Sequence, residues 1–147
     1  MKSSGIKLVL FLTFAMMSAC KAEKEPIKFG TDACEHCKMI AMDPKFGAEI
    51  ITTKGKIYKF DDVNCLVTYM NNSNLTQTNI AEIYVIDFSH AQLLVNAKTA
   101  FYVHSDQIKS PMASGVAAFE TTESRYEQQQ TWQGTELNWE EINSKFK

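Results

Sequence analysis

Cys34-Glu35-His36-Cys37-Lys38-Met39 places two thiols, an imidazole and a thioether within six residues. Thiolate and thioether sulfur select a soft, low-valent ion, while imidazole accepts copper or zinc, so a Met added to a Cys-x-x-Cys favours Cu(I) over zinc. Cys37 and Met39 are separated by one residue, and in an extended segment their side chains fall on one side and can converge on one ion. Cys34 and Cys37 also have the spacing of a redox dithiol, so a reversible disulfide is the rival chemistry. An oxidised pair would withhold Cys37, and copper loading would then require its reduction.

Other donors lie elsewhere in the chain. Met112 sits in Ser110-Pro111-Met112-Ala113-Ser114-Gly115, a loop by its small residues, Pro and Gly, and a thioether there suits a labile site. Met42 reads as packing, His90 and His104 as histidines at strand ends, and Asp61 and Asp62 as cap and turn residues. Cys65 falls about 200° around the helix from Val63, away from the apolar seam, and is either a small packed residue or a further thiol. A structural zinc domain would need a second Cys/His pair at finger-like spacing, and a hydrolase Gly-x-Ser-x-Gly or His-Glu-x-x-His, none of which is present.

The elements that must position these donors fit one domain or two very small ones, since the chain has 147 residues and is 45% hydrophobic. Residues 1–19 read as an export leader, with Lys2 and Lys7 before a short apolar run, and Met17-Ser18-Ala19-Cys20 resembles a lipobox in which Cys20 is acylated. That predicts a protein anchored by lipid to a membrane and facing the periplasm of a Gram-negative bacterium, with three thiols left after Cys20 is acylated, an odd number in an oxidising compartment. Removal of Lys2 and Lys7 with the leader takes the formal charge from −2 to −4, and no basic stripe offers a place for nucleic acid.

Residues 20–27 read as a charged tether. Next come two β-branched segments around Lys54-Gly55, a hairpin signal, and a helix from Val63 through Met70 behind Asp61 or Asp62. Strands are expected at Glu82-Ile83-Tyr84-Val85-Ile86-Asp87-Phe88, at Leu93-Leu94-Val95, at Phe101-Tyr102-Val103-His104 and at Val116-Ala117-Ala118-Phe119. A polar helix capped by Thr121 or Thr122 and a short terminal helix follow. The reading is an α+β fold of two small units, residues 28–80 and 81–147, each a β-hairpin plus helix, packed together because neither buries enough surface alone.

The order and spacing of several segments resemble the NosL family of lipoprotein accessory factors for nitrous oxide reductase. The resemblance rests on His36-Cys37-Lys38-Met39, residues 47–60 followed by Asp61-Asp62, Tyr84-Val85-Ile86-Asp87, Val95-Asn96-Ala97-Lys98-Thr99-Ala100-Phe101-Tyr102-Val103 and Pro111-Met112-Ala113-Ser114-Gly115 before Ala118-Phe119. It implies a Cu(I) chaperone without catalytic activity that delivers copper to nitrous oxide reductase or its copper-assembly machinery. Cys37, Met39 and Met112 are the implied donors, with His36 as a further one and Cys34 as auxiliary ligand or redox partner. Cys34 and Cys65 are thiols beyond the family pattern, and Ala113 stands where a Gly is expected. The alternatives are a thiol-disulfide protein using Cys34 and Cys37, although no βαβ unit frames that motif, and a copper chaperone for another copper enzyme.

Overall fold

The computed structural model describes residues 22–147. The leader and Cys20 lie outside the described residues. Two antiparallel sheets, each with helical cover, make up the α+β fold.

The first sheet is built on a hairpin of β1 (Ala48–Thr52) and β2 (Ile57–Phe60), joined through Lys54 and Gly55. Gly55 has φ +80, a left-handed conformation that glycine adopts without steric cost. Asp62 then caps α1 (Val63–Asn72), its carboxylate accepting from the Val63 N–H at 2.7 Å. β3 (Ile80–Ile86) pairs with β1, and β4 (Leu94–Asn96) with β3, giving the order β2-β1-β3-β4. The sheet therefore runs through the point near residue 80 where the sequence places a unit boundary, and the first unit reaches Asn96. Pairing of β3 with a strand more than thirty positions earlier leaves no local sequence signal.

The second sheet has the order β6-β5-β7, from β5 (Phe101–His104), β6 (Val116–Phe119) and β7 (Thr135–Leu137). β7 was not anticipated, because its three residues are largely exposed and show no apolar alternation. α2 (Thr122–Trp132), capped by Thr121, and α3 (Trp139–Lys145), opened by a capping box of Asn138 and Glu141, complete this unit. The sheets are joined where Asp87 bridges Ala118 and the Phe88 N–H donates to the Ala118 carbonyl at 2.8 Å.

One hydrophobic cluster spans both units: Ile50, Phe60, Leu66, Val67 and Ile83 from the first meet Tyr102, Val116 and Ile142 from the second. Tyr102 is fully buried and its hydroxyl donates to the Ala97 carbonyl at 2.6 Å. Cys34 and Cys65 belong to this shared cluster. On the other face of the first sheet, residues 22–26 lie as a strap: the Glu25 N–H donates to both carboxylate oxygens of Glu49, and Lys59 Nζ to the Pro26 carbonyl. Among the described residues no helix is long and apolar enough to cross a membrane.

Candidate metal centre

The Cys34–Met39 segment is a tight turn. Ala33 and Ile40 bridge antiparallel, Cys34 N–H donates to the Met39 carbonyl and Lys38 N–H to the Cys34 carbonyl, while Lys38 has φ +64. The Glu35 N–H, bonded to the Lys59 carbonyl, fastens the turn to β2. This geometry corrects the premise that an extended segment turns Cys37 and Met39 to one side. The left-handed residue between them reverses the chain, so Cys37 is half-buried against the core while Met39 is 56% exposed. His36 is exposed as well.

What the turn does bring together is a third thiol. Cys65, in the first turn of α1, meets Cys34 and Cys37 with all three sulfurs within 4.8 Å of one another. None of the three is in a disulfide. Three thiolates around one soft ion at about 2.3 Å stand about 4 Å apart, so the cluster is of the right size for a three-coordinate sulfur site. Helical spacing puts Cys65 off the apolar seam. It is buried nonetheless, because the Cys34–Met39 turn closes over the start of α1 and gives that turn of helix a second covered side.

Electrostatics prepare the cluster to hold negative charge. The Cys65 thiol donates a hydrogen bond to Cys34, and the backbone N–H groups of Cys37 and Asp61 add two more, which together hold the Cys34 thiol well below the usual range against the effect of burial. Donation to Cys34, followed by burial, pushes the Cys65 thiol up. Burial also raises Cys37, although the Met39 N–H bonds its sulfur. The hydrogen bonds into Cys34 thus favour the thiolate at that sulfur, beside Asp61 and the start of α1. Asp61, 3% exposed, has an oxygen without a partner, and burial, then the neighbouring Cys34, raise its carboxyl to about 6.

Met112 comes to this place from the second unit. Its N–H donates to Asp62 Oδ2 at 3.1 Å, its carbonyl accepts from Asn64 Nδ2 at 2.8 Å, and Ser114 Oγ donates to Asp62 Oδ1 at 2.7 Å. The loop is thereby pinned to the cap of α1, beside Cys65, and Met112 packs half-buried against the cluster that contains the thiols. Ala113 has φ +56, which explains why a Gly suits this position.

Met42 is 69% exposed rather than packed. His90 pairs with Asp87, which also accepts from Ser89 and Glu120 N–H groups, and His104 lies on β5; neither joins the thiols. Cys65 is the functional candidate that spacing alone could not assign. The odd count of thiols left after Cys20 was its available signal.

The NosL family model matches residues 26–146. A crystal structure of the copper chaperone NosL from Shewanella denitrificans superposes with a TM-score of 0.70 at 19% identity, over 82% of this chain and 96% of that one, and so shares the fold. No match emerges among curated proteins. With a family model spanning nearly all the described residues and the two-unit fold in agreement, this chain belongs to the NosL family.

Proposed function

We propose that this chain is a carrier of Cu(I), anchored to a membrane in the periplasm by acyl chains on Cys20, that hands copper to nitrous oxide reductase or to the machinery assembling its copper centre. The observation that carries the reading is the convergence of the Cys34, Cys37 and Cys65 sulfurs, within 4.8 Å of one another, under a methionine loop in a member of this family. Copper is cargo here, and the site works by ligand exchange without bond-making catalysis. Cys34 and Cys65 are buried and hold the ion, while Cys37, half-buried on a reversing turn, is the thiolate an incoming acceptor reaches first. Met112, packed half-buried against the cluster, and the exposed Met39 and His36 of the turn are weaker donors to which an ion can pass as thiolates are exchanged.

Accessibility argues against dithiol exchange as the main role. The nucleophile of such a protein is an exposed, low-pKa thiol. In this chain the thiol favoured as thiolate is the buried Cys34, 1% exposed, whereas the more accessible Cys37 is raised.

The test is anaerobic titration of the reduced domain with Cu(I) and with Zn(II) against a competing chelator. One tightly held Cu(I), weakened in C34S, C37S and C65S alike, supports the carrier. A preference for zinc, or binding indifferent to C65S, refutes it.

A further inference from the structure

The strap on the first sheet has a direction. Ala22 Cβ lies 3.7 Å from where a Cβ on Gly55 would sit, at the β1–β2 turn; Glu25 is seated on Glu49, the second residue of β1; and Ile27 Cδ1 comes within 3.0 Å of a Cβ position on Gly47, just before β1 begins. Lys24 Nζ donating to the Leu94 carbonyl at 2.7 Å and Lys59 Nζ donating to the Pro26 carbonyl at 3.1 Å fasten it across the sheet. The chain therefore enters the described domain at the hairpin turn and runs to the opposite end of the sheet. Cys20 precedes Ala22 by two residues, a reach of at most about 7 Å. A lipid on Cys20 would bring the hairpin turn to the headgroup layer.

The charge at that end fits such a surface. Residues 52–57 of the hairpin turn and residues 71–79, which bond to it through the Thr53 N–H and the Asn79 carbonyl, contain Lys54 and Lys56 as their only charged side chains. Both lysines are exposed, on a chain whose mature charge is negative. The thiols sit at the other end of the hairpin. β2 runs from Ile57 to Phe60, about 13 Å of strand, before reaching Asp61 beside Cys34, and the Cys34–Met39 turn is tied to that far half through Lys59. Asp43, Asp61 and Asp62 gather there, with the Glu35–Lys38 ion pair on the turn beside them.

We propose that the β1–β2 turn, residues 53–56, is the membrane-contacting edge of the domain, seated on anionic lipid headgroups through Lys54 and Lys56, with the strap holding the thiol site at the end facing away from the bilayer. This orientation rests on the lipid anchor at Cys20 put forward under Proposed function. It has an anion-binding component because two lysines near a negatively charged leaflet are attracted within a Debye length.

The experiment is amine-reactive footprinting of the full acylated protein, read by mass spectrometry. It compares the protein in detergent, in phosphatidylcholine vesicles, and in phosphatidylcholine vesicles containing phosphatidylglycerol. Labelling of Lys54 and Lys56 is expected to fall several-fold on the anionic vesicles, while Lys38 beside the thiols and Lys109 label as in detergent. Unprotected Lys54 and Lys56, or protection of Lys38 alongside them, overturns the orientation. Equal protection on phosphatidylcholine alone overturns the anionic contact. An intact mass without acyl chains removes the anchor and the orientation with it, whereas failure to bind Cu(I) with the footprint intact refutes the copper carrier alone.

Discussion

Glu49 is a fully buried carboxyl near the start of β1, and burial pushes it up to about 7 from an ordinary 4.5 even though the Glu25 N–H and Lys59 pull the other way. Between those two values the folded protein keeps a proton that the unfolded chain has released. The unfolded state then binds fewer protons, so the contribution of Glu49 to stability falls as pH rises from about 4.5 to 7. At 1.36 kcal/mol per pH unit of pKa change the full effect is roughly 3 kcal/mol. The variant Glu49→Gln keeps the size and an oxygen for the Glu25 N–H but cannot ionise. Urea denaturation of reduced wild type and E49Q, measured from pH 4.5 to 8, isolates the effect. Asp61, raised in the same direction, and the thiols titrate in both proteins and cancel in the difference. E49Q is expected to gain about 2–3 kcal/mol relative to wild type across that range and to be the more stable protein at pH 8. A difference that stays constant with pH would refute the reasoning.

Asp62→Ala removes the cap of α1 together with two of the three bonds that pin the Met112 loop, and thermal unfolding is expected to show a loss of about 2 kcal/mol or more, with Asp62→Asn closer to wild type. Ala113→Gly relieves a left-handed alanine and is expected to raise stability by about 1 kcal/mol in the same assay. Gly134→Ala would set a Cβ 2.4 Å from Val103 Cγ1 and 2.9 Å from the His104 carbonyl; the clash with β5 is expected to lower stability by about 1–3 kcal/mol, visible as a reduced denaturation midpoint.

Local chemistry made much of the fold legible. Lys54-Gly55 specified the hairpin because the turn needs a left-handed residue, and Asp62 marked the start of α1 because its carboxylate satisfies a free N–H. The strands at Phe101–His104 and Val116–Phe119 followed from their β-branched and aromatic content. What escaped the sequence is what depends on distant pairing. β3 joins the first sheet through β1, and the polar strap becomes structured because it covers Glu49. The metal centre divides in the same way. Cys34 and Cys37 were visible by their spacing, but the left-handed Lys38 that turns Met39 outward, and the closure of that turn over Cys65, exist only once β2 and α1 are in place.

X-ray absorption at the copper edge of the reduced, Cu(I)-loaded protein bears most directly on the claim that three thiolates share one ion. The account predicts a shell of sulfur at about 2.3 Å whose coordination number falls by one in Cys65→Ser, with no change in Cys65-containing variants Met39→Ala and His36→Ala. A shell containing histidine nitrogen, or one that Cys65→Ser leaves untouched, would contradict it.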